Sequence, residues 1–390
     1  MSDYLENIIT LPVGPLGIIA MPGCEEIGNK IDSYLIKWRE ERESEHKNSL
    51  SFLGYEKDSF LIDIACPRFG SGEAKGVIKK SVRGLDLYII TDVFNYGIEY
   101  KMYGRYVPMS PDEHYADLKR IIAASAGKAK RITVIMPMLY EGRQHKRSSR
   151  ESLDCAYALQ ELIGMGVSNI ITFDAHDARV QNAIPTHGFE NVMPTYQMIK
   201  SIVNNVPDIK IDTDHLMIIS PDEGAMNRGI YFSSVLGVDL GMFYKRRDYS
   251  KVVNGRNPIV AHEYLGADVA GKDLIIVDDM ISSGDSVLDL AVKLKELKAK
   301  NIYVCTTFGL FCEGLDHFDK AYKDGYISKV FTTNTVYATK ELLSREWYCP
   351  VDLSKYISYI IDTLNHDVSI SELLNPTEKI NKFLKKKGKK

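Results

Sequence analysis

The strongest constraint on the fold is an alternation, through the middle of the chain, of short apolar runs with segments of helical periodicity. The runs lie at residues 132–136, 169–173, 216–220 and 274–277, and each is followed by polar residues. Short apolar runs separated by helical patterns are typical of buried parallel strands that helices cover on both faces. The sequence therefore predicts an α/β fold with parallel sheets flanked by helices.

The composition is that of a globular protein with room for two domains. The chain has 390 residues, 45% of them hydrophobic and 26% charged. A formal net charge of -3 gives no overall attraction to nucleic acid or membrane, so neither partner is expected. The six cysteines form no C-x-x-C pair, which favours reduced thiols and a cytoplasmic protein over a disulfide framework or a zinc site.

Residues 274–287, LIIVDDMISSGDSV, join two adjacent carboxylates to a loop of small polar residues. The loop lies between a strand and a helix, where backbone amides and the helix dipole attract an anion. Asp278 and Asp279 would repel that anion unless they face another part of the ligand, such as the neighbouring hydroxyls of a ribose. The segment therefore indicates a sugar-phosphate site, with simple helix capping by Asp and Ser as the alternative.

The other strand candidates also end in polar residues, and ligands gather at the carboxyl ends of parallel strands. The first is followed by Arg143 and Gln144, the second by His176 and the third by Asp222. Cations suit a polyphosphate, while His and Asp side chains suit a divalent metal such as Mg²⁺. Taken singly, these residues are also explained as a solvated basic face, a structural histidine and a helix cap.

Three further segments carry local predictions. Residues 244–258 are basic and contain glycine and asparagine, which indicates a mobile loop that closes over phosphates, or an ordinary exposed loop. Residues 40–50 are expected to form a charged, exposed turn, and residues 95–113 an irregular insertion ahead of a helix. The final KKKGKK is expected to be a solvated tail.

With these residues placed, the chain resembles the ribose-phosphate pyrophosphokinases, also called phosphoribosyl pyrophosphate synthases. The similarity extends from about residue 17 to about residue 345. It rests on six motifs in the expected order: RFGSGEAKGVIKKSVRG at 68–84, GRQ at 142–144, FDAH at 173–176, SPDEGA at 220–225, FYKRR at 243–247 and VDDMISSGDS at 277–286. The last motif also suits phosphoribosyltransferases in general, but the ordered set is far more specific.

The resemblance implies two similar phosphoribosyltransferase-type domains. They are residues 1–187, on the ATP side, and 188–345, with the ribose-phosphate site; residues 346–390 form a helical extension that packs on the first domain and ends in the basic tail. The implied reaction transfers the diphosphate of ATP to the anomeric hydroxyl of ribose 5-phosphate, with Mg²⁺, and releases AMP. The resemblance also implies a homo-oligomer, hexameric or built from dimers, and regulation by phosphate and ADP.

The resemblance assigns roles to individual residues. The residues implied in ATP binding are Phe69, Ser71, Glu73, Arg143 and Gln144, the first three on a loop that often serves a neighbouring subunit. His176 and Asp222 would hold Mg²⁺. Lys245 and Arg247 would be the catalytic cations of the mobile loop. Ribose 5-phosphate would be held by Asp278 and Asp279 at its hydroxyls and by Ser282, Ser283, Gly284, Asp285 and Ser286 at its phosphate.

The chain departs from the family pattern at several positions. Ser71 replaces an acidic residue expected to read the adenine amino group, which puts the nucleotide selectivity in doubt. His145 stands where an acidic residue is usual, and the segment between the FDAH motif and residues 184–185 is shorter than usual. Asp285 brings a negative charge to the phosphate loop, where repulsion at about 4 Å costs on the order of one to a few kcal/mol unless the side chain points away.

These departures leave three alternatives to ribose 5-phosphate diphosphokinase activity. The same chemistry could act on a 5-substituted ribose. The chain could instead be a non-catalytic, regulatory homologue, against which the lid cations Lys245 and Arg247 argue. It could also be a phosphoribosyltransferase, against which the ATP-side motifs RFGSGE and GRQ argue.

Overall fold

The protein, seen in a computed structural model, is described at residues 10–44, 54–147, 149–247 and 259–389. Only the backbone is described at residues 43–44, 245–247 and 259–262. The chain divides into two compact units: Met1–Met193, Asn334–Tyr337 and Asp352–Asn375 make the first, and Pro194–Thr333, Ala338–Val351 and Pro376–Lys390 the second. The domain limits 1–187, 188–345 and 346–390 stay a prediction, since compactness alone does not set a domain boundary.

Strands and helices alternate along most of the chain. In chain order the strands are β1 (Leu16–Ala20), β2 (Ile64–Ala65), β3 (Val77–Ile78), β4 (Asp86–Ile90), β5 (Glu99–Met102), β6 (Arg105–Pro108), β7 (Arg131–Ile135), β8 (Asn169–Phe173), β9 (Gly188–Val192), β10 (Leu216–Ser220), β11 (Asp239–Arg247), β12 (Ile259–Leu265), β13 (Asp273–Ile281), β14 (Ile302–Gly309), β15 (Lys329–Thr333) and β16 (Tyr348–Val351). The helices are α1 (Glu25–Ser44), α2 (Pro111–Ser125), α3 (Asp154–Gly164), α4 (Thr195–Asn205), α5 (Met226–Leu236), α6 (Asp285–Glu296), α7 (Asp316–Lys323), α8 (Lys340–Leu343), α9 (Ser354–Asn365), α10 (Ser371–Leu374) and α11 (Thr377–Lys386).

The first unit is built on a five-stranded parallel sheet with the order β1-β4-β7-β8-β9. Ile89 and Val134 on its strands share one core with Leu118 of α2 and Leu159 of α3. Helix α2 begins at a capping box, because Ser110 accepts from the Glu113 amide while the Glu113 carboxylate accepts from the Ser110 amide. Because β7 and β8 are adjacent and parallel in this sheet, their carboxyl ends lie side by side.

The second unit is built on a seven-stranded sheet with the order β12-β11-β10-β13-β14-β15-β16. All its pairings are parallel except β11 with β12, which is antiparallel. Ile219 and Ile276 on its strands pack with Leu290 of α6 and Phe318 of α7. This order places the carboxyl ends of β10 and β13 next to each other.

The predicted α/β class with parallel sheets flanked by helices is confirmed. The four predicted strands correspond to β7, β8, β10 and β13. Strand β13 is longer than predicted, since it continues through Asp278 and Asp279 to Ile281. In the described part of the chain, no helix is long and apolar enough to cross a membrane. All six cysteines are free.

Two local predictions were wrong. Residues 40–44 are not a turn but the end of α1, and Arg42 among them is fully buried because it pairs with a buried carboxylate; residues 45–50 lie outside the described part of the chain. The segment 95–113 is not irregular: it contains the antiparallel hairpin β5–β6. Its two-residue turn has positive φ at both Tyr103 (46°) and Gly104 (82°), as such hairpins require.

A buried polar network joins α1 to α9 within the first unit. Arg42 donates two hydrogen bonds of 2.8 Å to the Asp362 carboxylate, and Arg39 donates to Asn365 at 2.6 Å. Burial alone would raise the pKa of Asp362, but the charge and hydrogen bonds of Arg42, together with the charge of Arg39, hold it below its ordinary value. His366 is fully buried and its Nδ1 donates to the Asp362 carbonyl oxygen. The helix pair thus depends on a neutral histidine beside a charged ion pair.

The free energy of unfolding should depend on pH through the protonation of His366. Burial, aided by Arg42 and Arg39, lowers the pKa of His366 from 6.5 to about 4. Below pH 6.5 the unfolded chain therefore binds a proton that the folded chain does not, and stability falls as the pH is lowered toward 4. Chemical denaturation should show His366 contributing a loss of about 1–2 kcal/mol between pH 7 and pH 5.

The control is a pair of substitutions. His366→Asn should flatten this part of the stability profile, whereas His187→Asn, at an exposed position of the same unit, should leave it unchanged. Equal profiles for wild type and His366→Asn would contradict the assignment.

Candidate active site

Asp278 and Asp279 lie in the second half of β13, near its carboxyl end. The adjacent strand β14 fixes their backbone, with Asp278 opposite Thr306 and Met280 opposite Phe308. The Asp278 carboxylate accepts a hydrogen bond of 2.9 Å from the amide of Asp279, while the Asp279 side chain is buried, at 4% exposure. The strand thus holds two acidic side chains together at the carboxyl end of a parallel sheet.

The charge on this pair is disfavoured. Burial raises the pKa of Asp278 well above its ordinary value, and the neighbouring Asp279 and Asp222 charges act in the same direction. Opposing this, a guanidinium nitrogen of Arg228 lies 3.9 Å from a carboxylate oxygen of Asp279. A ligand that brings hydroxyl donors or a cation to these oxygens would relieve the cost.

The loop after the pair leads directly into α6. Gly284 caps the helix with φ of 98°, a conformation that favours glycine, and a Cβ at this position would lie only 2.3 Å from the Phe318 ring. Its carbonyl accepts from the amides of Val287 and Leu288. No side chain can therefore be added at Gly284 without displacing a buried phenylalanine, and the helix amino end stays open to a close ligand.

Backbone hydrogen bonds from residues 310–312 fix the start of the same loop. The Leu310 amide donates to the Ile281 carbonyl and the Cys312 amide to the Ser282 carbonyl, both at 2.9 Å. The Asp285 side chain is 64% exposed, and one of its carboxylate oxygens lies 3.7 Å from the Nδ1 atom of His317. Asp285 thus begins α6 with its carboxylate largely in solvent, where the expected repulsion of a bound phosphate is weakened.

Asp222 lies between β10 and α5, next to the end of β13 in the sheet order. Its carboxylate accepts from the amides of Gly224 at 2.9 Å and Ala225 at 3.2 Å. These bonds shape the turn before α5, whose N-cap is Ala225 without a side-chain cap, so the capping role considered for Asp222 from the sequence is wrong. One carboxylate can accept further bonds, and the influence of Asp222 on the pKa of Asp278 places it within electrostatic reach of the acidic pair.

In the first unit, Arg143 and Gln144 lie in an exposed turn after β7. The turn is built by hydrogen bonds from the Gly142 amide to the Leu139 carbonyl and from the Gln144 amide to the Glu141 carbonyl, with Glu141 at φ of 53°. Both side chains are thus presented to solvent by a defined backbone.

His176 follows β8 and is exposed. Its ring centroid lies 5.4 Å from that of His145, whose Nε2 is 3.4 Å from the Asp177 carboxylate. Burial lowers the pKa of His145, against the influence of Asp177. The turns after β7 and β8 are therefore neighbours. His145, which stands where the family usually has an acidic residue, lies beside the acidic side chain of Asp177.

Phe69, Ser71 and Glu73 lie on an exposed loop of the first unit. The Phe69 amide donates to the Glu73 carbonyl at 2.7 Å, and the Ser71 hydroxyl donates to the Glu73 carboxylate at 2.9 Å. The hydrogen bond therefore places the Glu73 carboxylate beside Ser71, which occupies the position of the family's acidic residue.

Lys245 and Arg247 belong to strand β11, where Lys245 pairs with His262 and Arg247 with Ile259 of β12. The predicted loop is therefore shorter than 244–258 at its start; residues 248–258 lie outside the described part of the chain. The pairing shifts register between Arg246 and Arg247. The catalytic role of the two cations stays a prediction.

Two site neighbours were missed from the sequence. Arg228 approaches Asp279 from α5, and Asp177 approaches His145. Arg228 is six residues beyond Asp222, inside the helix that follows the same strand, and that spacing was the available signal. Asp177 directly follows the FDAH motif.

The Asp222 carboxylate suits a magnesium ion that takes few protein ligands. Among the described residues, no group of three or more His, Cys, Asp or Glu side chains could hold a metal by itself. Mg²⁺ commonly takes one or two carboxylates and completes its shell with water and substrate phosphates. The Asp222 carboxylate is an oxygen ligand of this type, whereas His176 offers the less favoured imidazole.

Two family models match the chain. The model described as the N-terminal domain of ribose phosphate pyrophosphokinase matches residues 16–166, and the one described as the phosphoribosyl synthetase-associated domain matches residues 252–375. Together the two matched ranges cover most of the chain.

Curated relatives agree with the family models. The ribose-phosphate pyrophosphokinase of Vibrio parahaemolyticus is 26% identical over 319 residues, which is 81% of this chain and 92% of the relative. That of Mycoplasma pneumoniae is 29% identical over 275 residues, 70% of this chain and 76% of the relative. The solved phosphoribosylpyrophosphate synthetase from Mycobacterium smegmatis shares the fold, with a TM-score of 0.71 at 19% identity, over 90% of this chain and 99% of that one.

Removing one carboxylate of the acidic pair should stabilise the protein without ligand. Because the pKa of Asp278 is raised in the folded chain, stability falls as the pH rises through the range between the unfolded and folded pKa values. Asp278→Asn should therefore raise Tm at pH 8 in thermal denaturation, with a difference that shrinks on acidification. Asp289→Asn, on the exposed face of α6, is the matched control and should not change Tm. A lower Tm for Asp278→Asn at pH 8 would refute the assigned strain.

Proposed function

Since the chain belongs to the ribose-phosphate pyrophosphokinase family, we propose that it transfers the diphosphate of ATP to ribose 5-phosphate. The anomeric oxygen attacks the β-phosphorus, the bond from that phosphorus to the α-phosphate oxygen breaks, and the anomeric proton is released. The products are 5-phosphoribosyl 1-diphosphate and AMP.

The observation that carries the proposal is the arrangement at the end of β13. Asp278 and Asp279 are held side by side, and the loop that follows them opens the amino end of α6. The ribose hydroxyls would donate to the two carboxylates, and the 5-phosphate would lie on the loop Ser282, Ser283, Gly284, Asp285 and Ser286. Two opposite requirements, acids for a diol and amides for an anion, are met within one strand-loop-helix segment.

The exposed Asp285 favours ribose 5-phosphate over a 5-substituted ribose. A carboxylate aimed at the phosphate would favour a sugar without that dianion, but the Asp285 side chain is 64% exposed and begins a helix. Its charge is therefore screened, and the phosphate can bind through backbone amides.

For ATP we propose the residues of the first unit that the sequence indicated. Arg143 and Gln144 are exposed donors suited to phosphates, while Phe69, Ser71 and Glu73 are suited to the adenine. Ser71 and Glu73 form one hydrogen-bonded unit, so Glu73 can supply the acceptor for the adenine amino group that an acidic residue 71 would otherwise provide.

Lys245 and Arg247 are proposed as the catalytic cations. Diphosphate transfer makes few covalent demands on the protein, so the rate depends on alignment and on positive charge near the oxygens that gain negative charge. Both residues lie at the end of strand β11, directly before residues 248–258.

Mg²⁺ is proposed as the cofactor, with Asp222 and His176 each as a candidate ligand in its own unit. When bound, Mg²⁺ neutralises phosphate charge and orients the transferring group. A cation near Asp222 would also lower the cost of charging Asp278 and Asp279. The homo-oligomer and the regulation by phosphate and ADP stay predictions.

Product analysis tests the reaction class. The full-length protein with ATP, Mg²⁺ and ribose 5-phosphate should form AMP only when the sugar is present, in equal amount with the sugar diphosphate. ADP as the nucleotide product, or AMP formed equally without the sugar, would exclude diphosphate transfer to ribose.

Lys245→Ala should lower kcat about 10²–10³-fold, as loss of one charge-stabilising donor does, with the two KM values changed less than about threefold. Steady-state kinetics of AMP formation measures both effects. Lys323→Ala, at an exposed position of α7, is the control and should behave like wild type. A rise in both KM values with kcat unchanged would instead make Lys245 a binding residue.

A further inference from the structure

The hairpin β5–β6 contacts the loop of residues 69–73. The amide of Tyr103, in the hairpin turn, donates a hydrogen bond of 2.9 Å to the carbonyl of Gly70. Gly72, at φ of 95°, leaves room for Met102: a Cβ on this glycine would lie 2.8 Å from the methionine sulfur. The hairpin and the loop therefore meet through one backbone hydrogen bond and one close side-chain contact.

The hairpin has two different faces. Tyr100, Met102 and Val107 are half-buried, and Tyr100 is directly opposite Val107 in the pairing. Lys101 and Tyr106, which form the next pair, are exposed. The alternation is that of a sheet with one packed face, so the hairpin is held in place rather than solvated on both sides.

Arg68, the residue before the loop, is fixed from the same side. Its guanidinium carbon lies 4.9 Å from the centroid of the Tyr100 ring, and its Nη2 donates to the Asp117 carboxylate at 2.7 Å. The Tyr100 hydroxyl donates to the Glu113 carboxylate in the capping box of α2. The start of the loop is thus clamped between the hairpin and helix α2.

We infer that the hairpin β5–β6 is a positioning element for the nucleotide loop, residues 69–73. The inference rests on the proposed function, in which this loop reads the adenine of ATP. Without the hairpin, the exposed loop has the Phe69–Glu73 and Gly72–Phe69 backbone bonds and the Ser71–Glu73 contact to order it. An unordered loop would lose conformational entropy when ATP binds. Because the hairpin orders the loop beforehand, it strengthens ATP binding and leaves the binding of ribose 5-phosphate unchanged.

The first test removes the hairpin from the full-length protein. At the base of the hairpin, Glu99 lies directly opposite Pro108, and the Met109 amide donates to the Ile98 carbonyl at 2.8 Å. An Asn-Gly turn can therefore replace residues 100–107 while these base contacts are kept. The variant should have a KM for ATP raised roughly tenfold, with kcat and the KM for ribose 5-phosphate within about twofold of wild type.

Point variants protect the test against a folding failure. Met102→Ala removes the contact beside Gly72 and should raise the KM for ATP about threefold. Lys101→Ala, on the exposed face of the same strand, is the matched control and should leave every constant unchanged. Met102→Leu, which keeps the volume, should restore most of the ATP affinity.

Calorimetric titration with a non-hydrolysable ATP analogue separates this inference from the proposed function. Weaker analogue binding by the excision variant and by Met102→Ala supports the hairpin's role, even if wild type forms no AMP and the proposed reaction fails. Unchanged analogue binding overturns the inference. So does a rise in both KM values together with a lower Tm, which would indicate a general structural role.

Discussion

The candidate sugar site of the second unit depends on an unfavourable interaction, the placement of two neighbouring carboxylates, Asp278 and Asp279, near the end of a buried strand. Desolvation and mutual repulsion disfavour their charges, as the raised pKa of Asp278 records. The pairing of β13 with β14 prevents the backbone from moving them apart. Folded proteins keep such strain mainly where a ligand relieves it, and two hydroxyl donors of a sugar would do so here.

The same segment separates two charge requirements in space. The acids are in the strand, whereas the amides that favour an anion are at the start of α6, after Gly284. The buried Phe318 allows only glycine at this turn, so the ligand can approach the helix end closely. Asp285, which was expected to repel a phosphate, begins the helix with its side chain largely in solvent. One ligand with a diol and a phosphate would satisfy both requirements.

The elements predicted from sequence were those with a local pattern. Apolar runs predicted β7, β8, β10 and β13, and the polar residues after them marked the candidate functional residues of each unit. The β5–β6 hairpin was missed because its turn, Tyr103–Gly104, lacks the usual Asn-Gly or Asp-Gly signal. Arg42 was predicted to be exposed because its partner Asp362 lies 320 residues away in sequence. The approach of Arg228 to Asp279 depends on how α5 packs on the sheet, which no local pattern records.

The most direct test of the account is a crystal structure of the protein with ribose 5-phosphate. The ribose hydroxyls should lie within hydrogen-bond distance of the Asp278 and Asp279 carboxylates, with the 5-phosphate on the backbone amides of residues 282–286. Asp278→Asn crystals, soaked in the same way, should show weaker sugar density. A sugar bound with its phosphate away from the start of α6, or with its hydroxyls away from both acids, would contradict the account.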